Sequence, residues 1–516
     1  MFGSPRSFAI YLLIVNTRLE QLSQQRLEKL EKIRQMGFEP YPRTFNRTHT
    51  TKQVVDQLLE WEAGMPKEIL DNVLAKNKFV VAGRITARRG MGKVSFLDLR
   101  DGSGKIQLFY SREAFGEKEN ELFKEFDIGD FIGAEGTVFR TKSNEPTIHL
   151  SKFTLLSKSL LPLPEKFHGL TDVDIRHRKR YLDLIASPEV KQVFEHRSKI
   201  ITAVRQYLNN RDFIEVETPV LQPAAGGALA KPFITHHNAL DQDFYLRIAL
   251  ELYLKRLIVG GFDKVYEIGR VFRNEGISFK HNPEFTMMES YEAYADYNDV
   301  MKMVEEMVST VCFQVFGTME VKFGEHTLNF KPPWMRFNLR EAVRQFGNID
   351  FVQYPTADKL RGKMTEMGIQ VDPAKNWAKL VDELVSTYVE PNLIQPCFLV
   401  DYPVSLSPLA KTRPDNPRVV ERFEGFAGGF EIANAFTELN DPLEQRKRFE
   451  EQVAEREGYG GEEEWSVDED FLEALEYAMP PTGGLGIGID RLVMVLTNQQ
   501  SIREVILFPQ LKEKAE

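Results

Sequence analysis

Between Phe79 and about Ser157 the apolar residues fall into short strand-like runs: FVVAGRI, VSFLDLRD, KIQLFY, FIGAEGTVF and TIHLSKFTLL. Before them, Leu19, Leu22, Leu27, Leu30 and Ile33 recur at roughly helical spacing, up to Gly37. A side-chain period of two and one of 3.6 cannot share a regular element, so the chain changes architecture here. Asp101-Gly102 and Gly104 sit between two of the runs, a good hairpin signal. Leu160 to Gly169 (LLPLPEKFHG) carries two prolines and a glycine and reads as a linker. Beyond it strands and amphipathic helices alternate to the C-terminus. At 516 residues the chain is too long for one ordinary core.

Five short strands with one helical stretch among them predict a small Greek-key barrel of the oligonucleotide-binding (OB) type; a generic small β-domain is the competing reading. The expected division is a disordered extension over 1–16, a helical region over 17–75, the barrel over 76–160, a linker over 161–178 and a second domain over 179–516. Arg18, Arg26, Lys29, Lys32 and Arg34 surround the apolar stripe of the first helix, either as a solvated face or as contacts to an RNA backbone. Phe8 to Val15 (FAIYLLIV) is too short to span a bilayer and lacks a small-residue cleavage site. The acidic stretch from Glu455 to Asp470 reads as an exposed connection. An apolar fraction of 42% and a charged fraction of 28% are those of a soluble globular protein. Only Cys312 and Cys397 occur, far apart and outside any CxxC, which excludes a disulfide framework and fits a reducing cytoplasm. The net charge of -10 argues against indiscriminate coating of nucleic acid, while leaving room for a specific RNA bound through local basic patches. The expectation is a cytoplasmic protein with no membrane or DNA partner.

The most informative stretch is Val265 to Tyr294, VYEIGRVFRNEGISFKHNPEFTMMESYEAY. It divides into two strand-like pieces around a loop containing Gly276 and Asn282-Pro283. Alternate residues of a strand share a face. That places Arg273 and Glu275 together on the first piece, and Phe285, Met287, Glu289 and Tyr291 together on the second. Such a hairpin presents a guanidinium, carboxylates and aromatic rings to one cavity. The plainer alternative is an ion-paired hairpin with its rings in a core.

Phe272-Arg273-Asn274-Glu275, followed by His281-Asn282-Pro283-Glu284-Phe285, resembles motif 2 of the class II aminoacyl-tRNA synthetases, in the form of the bacterial lysyl-tRNA synthetases. The resemblance runs from about Thr17 to Pro509. It takes in RYLDLI (Arg180 to Ile185), PFITHHNALD (Pro232 to Asp241), SPLAK (Ser407 to Lys411), ELNDP (Glu438 to Pro442) and PPTGGLGIGIDRLVM (Pro480 to Met494). Gly484, Gly486 and Gly488 have GxGxG spacing late in the chain, which separates them from the GxGxxG of an early dinucleotide-binding unit. They resemble motif 3, where absent side chains let backbone approach ATP.

The fold that the resemblance implies is α+β: an N-terminal OB-fold barrel, then a class II catalytic domain built on an antiparallel sheet flanked by helices. The implied reaction is a lysine–tRNA ligase's. L-lysine's carboxylate attacks the α-phosphorus of ATP to give lysyl-adenylate and pyrophosphate, and lysine then passes to the 3' end of tRNA-Lys. The nucleophile is already anionic, so alignment and charge stabilisation are needed rather than a general base. By resemblance, the catalytic arginines are Arg273 and Arg491. Arg273 bridges lysine's carboxylate and the α-phosphate, a task suited to a planar guanidinium. Phe285 stacks on adenine opposite Arg491, Glu275 accepts from the adenine amino group, and His281 lies near the phosphates. Glu424 and Glu431 match carboxylates that hold Mg2+ against the phosphates.

For the amino acid, the same resemblance implies that Glu251 takes the α-amino group and that Gly227 lies against the substrate backbone. Glu289, Tyr291, Asn434, Phe436 and Glu438 line the side-chain pocket. An aspartate pocket would need a cation there; two carboxylates and a phenol suit an ε-ammonium. In the barrel, Phe96 and Gln107 resemble an anticodon-reading pair, with Arg84, Arg88, Arg89 and Lys93 as nearby phosphate contacts. Phe194 to Leu221 resembles motif 1, a helix and then a strand ending in Glu217-Thr218-Pro219, which in this family forms a homodimer interface. The chain departs from the family pattern at Phe430, where some relatives carry a basic residue, at Ala433 and Ala435, where some have glycine, and at Leu250, where others have proline. Three rival readings are a paralogue with another acceptor, a membrane lysyl-lipid enzyme and a regulatory RNA-binding protein with a dead synthetase fold. The first would lack the barrel, the second would need transmembrane segments, and the third predicts damage at Arg273, Glu424, Glu431 or Arg491.

Overall fold

A computed structural model describes residues 5–91, 93–164, 172–224, 226–228, 230–458 and 467–512. It divides into two compact units, Met1–Gly169 and Leu170–Glu516.

The first unit opens with α1 (Pro5–Gln35), α2 (Thr51–Gly64) and α3 (Lys67–Lys76). Five strands follow: β1 (Lys78–Met91), β2 (Val94–Arg100), β3 (Lys105–Ser111), β4 (Phe131–Arg140) and β5 (Pro146–Ser157), with α4 (Glu117–Lys124) between β3 and β4. They close in the order β1-β2-β3-β5-β4. Alternation dictates the closure: Leu97 and Leu99 of β2, Ile106 and Leu108 of β3, Ile132 and Ala134 of β4, and Ile148 and Leu150 of β5 all reach one core. The OB-type barrel expected from the strand runs is therefore present, with its intervening helix.

Of the extension expected to be disordered, 1–4 lie outside the described residues and 5–16 are continuous with α1. No glycine or proline interrupts Ser7 to Gln35, so nothing in the chain stops the helix at residue 16. Four of its basic residues bind within the unit. Arg26 donates to the carbonyls of Ser159, Leu161 and Ile128. Lys29 pairs with Asp127 at 2.6 Å, Lys32 with Glu125 at 3.9 Å and Arg34 with Glu31 at 2.6 Å. Of the expected linker, 165–171 lie outside the described residues, and α5 (Val173–Arg178), capped by Asp172, occupies its end.

In the second unit α6 (Arg180–Ala186) carries the RYLDLI segment. The fully buried Arg180 donates to the carbonyls of Arg503 and Leu507 and to Asp183. α7 (Pro188–Asn209) leads to β6 (Ile214–Glu215), so the strand expected to run to Pro219 is only two residues long. β7 (Leu221–Gln222), β8 (Ile234–His237) and β9 (Gln242–Leu246) form a small separate sheet. After α8 (Glu251–Val259) come β10 (Lys264–Phe272), β11 (Glu284–Ala293), α9 (Tyr297–Phe316), the hairpin of β12 (Glu320–Phe323) and β13 (His326–Asn329), and β14 (Met335–Asn338). β15 (Cys397–Val400), β16 (Arg422–Ala427), β17 (Phe430–Thr437) and β18 (Thr482–Gly488) complete an eight-stranded sheet ordered β14-β15-β16-β17-β18-β11-β10-β6.

The antiparallel sheet expected for the catalytic domain needs one correction. Its six central strands are antiparallel, but β14 pairs parallel to β15 and β6 parallel to β10. Both parallel pairs are joined through long connections, from β14 to β15 by several helices and from β6 to β10 by the small sheet and α8, as parallel neighbours require. One face packs against α7, α9 and the helix Ile489–Leu496 through Val204, Val304, Met307, Leu485, Ile487 and Val493. The stretch read as an exposed acidic connection is shortened from both ends, by the helices Pro442–Gly458 and Glu469–Glu476; its centre, 459–466, lies outside the described residues. Among the described residues no helix is long and apolar enough to cross a membrane.

One buried cation in the first unit offers a stability test. Lys158 Nζ, fully buried, pairs with Asp127 at 2.6 Å and with Asp130 at 2.8 Å. Lys158→Met leaves these acids without their common partner. It should cost about 3–5 kcal/mol, measured as an earlier first transition in denaturant unfolding of the full chain.

Candidate active site

The site rises from the β10/β11 hairpin, paired from Lys264↔Glu292 to Phe272↔Glu284. Arg273 and Glu275 were expected on one face of the first strand, but β10 ends at Phe272 and both lie in the connecting loop. Backbone bonds fix that loop: Arg273 N–H donates to the Pro283 carbonyl (2.8 Å) and Asn274 N–H to Lys231 (2.7 Å). The expected strand alternation does hold on β11, whose Phe285, Met287, Glu289 and Tyr291 all look into the site.

β18 lies between β11 and β17. Gly484 is registered with Tyr291 on one side and Phe436 on the other, and Gly486 with Glu289 and Asn434. The site-facing positions of this middle strand therefore carry no side chain. A Cβ on Gly484 would overlap the Glu438 carboxylate and lie 2.7 Å from the Tyr291 ring, and one on Gly486 would lie 3.3 Å from Met287. On β17 a bulge opposite Gly425 and Phe426 puts Ile432 out of register. Strict alternation would turn Glu431 and Asn434 to opposite faces; the bulge brings both into the site.

Two adjoining cavities result. One of about 470 Å³ is lined by Gly227, Glu251, Arg273, Glu289, Tyr291, Glu424, Glu431, Asn434, Phe436 and Glu438. The other, about 220 Å³, is lined by Arg273, Glu275, His281, Phe285, Glu431 and Arg491. Every catalytic-domain residue singled out from the sequence thus borders one cavity or both, and Arg273 stands where they meet. Its Nε donates to the Ile248 carbonyl (3.3 Å), and its guanidinium lies 5.2 Å from the centre of the Phe285 ring. Among the described residues it forms no ion pair.

In the barrel, Phe96 is half-buried and packs on Phe109, which in turn packs on His149, each at 5.2 Å between ring centres. Gln107 is buried and accepts from the Thr147 hydroxyl at 3.0 Å. The neighbouring cations are engaged: Arg84 and Arg88 donate to the carbonyls of Gly129 and Phe126, Arg89 pairs with Asp98, and Lys93 with Glu113. Sequence reading missed Phe109 and His149, whose place beside Phe96 is set by strand register.

Comparison with known proteins finds two matching families. Residues 172–512 match the model of tRNA synthetases class II (D, K and N), and residues 79–156 that of the OB-fold nucleic acid binding domain. A protein named lysine–tRNA ligase from Dehalococcoides mccartyi is 59% identical, over 96% of this chain and 98% of its own. Those so named from Moorella thermoacetica and Bacillus cytotoxicus are 53% and 48% identical, over 95% and 97% of this chain and 98% and 99% of theirs. The chain belongs to the class II tRNA synthetases of the D, K and N family. Synthetases of this family use ATP.

The electrostatics of this synthetase site follow from burial. Glu289 is pushed up to about 7 by burial and the Glu251 charge, against hydrogen bonds from the Leu250 N–H (3.0 Å) and the Tyr291 hydroxyl (3.2 Å). The first bond needs a backbone N–H at position 250, which a proline there could not give. Glu424 is pushed up to about 8 by burial and the charge of Glu431, although Arg422 (2.6 Å) and the Tyr402 hydroxyl (2.7 Å) both bind it. Glu431 pairs with Arg491 at 2.8 Å. Two mutually repelling carboxylates, Glu424 on the larger cavity and Glu431 where the two cavities adjoin, suit a hard cation that takes its other ligands from outside the protein. Among the described residues no cluster of three or more His, Cys, Asp or Glu offers a complete protein cage.

Four contributors escaped the sequence reading. Lys255 lies one helical turn from Glu251, a spacing that could have revealed it. Arg422 and Tyr402 reach Glu424 only through the fold. Asp490 ties the N-terminus of the last long helix to the sheet, accepting from Arg197 and from the Thr286 N–H, each at 2.6 Å. His281 is pulled down to about 4 by burial and by Arg491, whose Nη2 is 3.4 Å from Nε2. It is therefore neutral at pH 7. Binding of ATP should raise its pKa by at least ~1 unit, because phosphate charge favours the imidazolium. Titration of the imidazole by NMR, with and without ATP, reads this; an unchanged value would remove His281 from the phosphate surroundings.

Proposed function

We propose that this synthetase activates L-lysine with ATP, forming lysyl-adenylate and pyrophosphate, and transfers lysine to the 3' end of tRNA-Lys. The observation that carries the reading is the charge of the group of acids around Glu251, Glu289 and Glu438 in the larger cavity, apart from Glu424 and Glu431. Glu251, Glu289 and Glu438 contribute three carboxylates, against the ammonium of Lys255 and the guanidinium of Arg273. Fully ionised, that set is one negative charge in excess, and L-lysine is one positive charge in excess. Its carboxylate suits Arg273 and its two ammonium groups the acids. An amino acid with an uncharged side chain leaves a buried carboxylate without a partner, which supports discrimination of ~10⁴ or more.

Arg273 then orients the carboxylate toward the α-phosphorus and disperses charge on the phosphoryl oxygens. Phe285 and Arg491 bracket the adenine, Glu275 accepts from its amino group, and His281 faces the phosphates. Glu424 and Glu431 would hold Mg2+, which when bound supplies charge neutralisation to the triphosphate. Arg273, Glu424, Glu431 and Arg491 are all in place, which weighs against a dead synthetase fold. The Phe96–Phe109–His149 rings support stacking of unpaired anticodon bases, with Gln107 reading a base edge. Exposed Ile214, Val220 and Leu221, in the motif 1 segment, support a homodimer. Two buried free cysteines suit a cytoplasmic setting.

Lysine-dependent ATP–pyrophosphate exchange, followed by charging of tRNA-Lys, tests the reaction. Glu289→Gln should raise the lysine KM by on the order of 10²-fold while ATP binding survives. The pH dependence has a definite sign. An acid whose folded value lies above its unfolded one stabilises the fold below the unfolded value and loses that contribution as pH rises through the folded one. Glu289 is thus neutral below about 7 and charged above it. The wild-type lysine KM should fall as pH rises through that value, and Glu289→Gln should flatten the profile. Unchanged lysine kinetics in the variant would remove Glu289 from the pocket. Phe96→Ala should impair tRNA charging but spare exchange; equal loss of both would contradict the division between the units.

A further inference from the structure

We infer that Lys255 is a positioning residue for amino-acid specificity, holding Glu251 and Glu438 from behind the cavity and setting the pocket's charge for a substrate with two ammonium groups. The inference rests on the lysine reading above, and deepens it by assigning a residue that does not itself border the cavity.

Lys255 Nζ is fully buried, 2.6 Å from Glu251 Oε1 and in an ion pair with Glu438 Oε2. The Phe436 and Phe471 rings flank it, their centres 5.5 and 5.8 Å away. Both acids line the cavity while Lys255 does not, so the ammonium approaches them from the protein side. The result is clearest at Glu438. Oε2 faces Lys255, whereas Oε1 lies over Gly484, the side-chain-free position on the cavity floor. Oε1 is buried and has no hydrogen-bond partner. A buried carboxylate oxygen without a donor is costly unless a ligand supplies one. The neighbouring acid, Glu289, is satisfied by Leu250 and Tyr291, so the unmet demand is concentrated at Glu438.

Charge counting gives the same assignment. The groups facing this end of the cavity are Glu251 from α8, Glu289 and Tyr291 from β11, and Glu438 from the end of β17. Asp468 on the wall is already paired with Arg256 at 3.1 Å. Lys255 offsets one of the three remaining carboxylates and leaves two, matching an α- and an ε-ammonium. Burial acts to lower the pKa of Lys255, yet Glu251 and Glu438 hold it above the ordinary range, so the offset is permanent near neutrality. Without it, three acids share a dry pocket and one must take up a proton before a dication can be balanced.

Kinetics of the full-length enzyme in lysine-dependent exchange test this. Lys255→Met keeps the length of the stem and removes the charge. It should raise the lysine KM by on the order of 10²-fold and leave the ATP KM within about twofold. Its lysine KM should also fall more steeply with rising pH than that of the wild type. Lys255→Arg, which keeps the charge, should retain the wild-type pH profile. Lys255→Ala should be rescued by added propylammonium and not by propanol, which distinguishes charge from packing. If Lys255→Met does not fold, the arginine and alanine variants carry the test. A wild-type lysine KM and pH profile in Lys255→Met overturns the inference. So do parallel rises in both KM values without amine rescue, or a shifted profile in Lys255→Arg. Wild-type enzyme inactive with lysine would sink the substrate reading itself, a different result from a silent variant of an active enzyme.

Discussion

The site is held open by a strand that presents no side chains to it. β18 lies in the middle of the large sheet, and its site-facing residues are Gly484, Gly486 and Gly488. Carboxylates, rings and amides from β11 and β17 can lean over this bare floor from both sides. At Gly484 a single added methyl group would occupy the space of the Glu438 carboxylate. Steric absence, rather than any one attraction, therefore lets opposing groups converge on ligands of the size the cavities accept. The helix Ile489–Leu496 continues from this strand and carries Arg491, so the nucleotide side depends on the same segment.

Convergence creates an electrostatic problem that the fold solves unevenly. Glu251, Glu289 and Glu438 are buried together, and among the described residues Lys255 is the one cation paired with them from behind. Glu424 and Glu431 repel each other a short way along the sheet and are only partly met by Arg422 and Arg491. Arg273, between the two acidic groups, has no anion of its own. Each of these is unfavourable in the unliganded chain and would be relieved by a substrate with two ammonium groups and a carboxylate, by a triphosphate and by a hard cation, as in the proposed reaction. Binding energy of that kind is directed at charge distribution, and charge distribution is what changes along the route from carboxylate and triphosphate to acyl phosphate and pyrophosphate.

The first unit uses the same elements to the opposite effect. Its cations are largely consumed internally: Arg26, Lys29 and Lys158 tie α1 and the barrel together, and Arg84 and Arg88 reach carbonyls of their own unit. Around Phe96 lie the rings of Phe109 and His149, beside Arg89 and Lys93, which are exposed but paired with Asp98 and Glu113. That suits recognition by stacking, and is consistent with a net-acidic protein that meets RNA through a local surface.

Much of this was legible in the amino-acid sequence, for a physical reason. Side-chain periodicity reports which face of an element is buried, so the barrel strands and the alternation of Phe285, Met287, Glu289 and Tyr291 could be read directly. The identities of the site residues were legible because charged and glycine residues stand at fixed intervals in long matching segments. Register, bulges and loop paths are long-range, and local pattern says nothing of them. Arg273 reaches the site through a backbone bond to Pro283 and a side-chain bond to the Ile248 carbonyl rather than by strand alternation. Glu431 and Asn434 share a face only because of the bulge on β17. The parallel edges of the sheet depend on long connections, and the helical course of residues 5–16 on the absence of any breaker before Gly37. Lys255 stood in plain view four residues after Glu251. Only the tertiary structure, by bringing Glu438 from nearly two hundred residues away to the other side of its ammonium, decided that it belongs to the pocket.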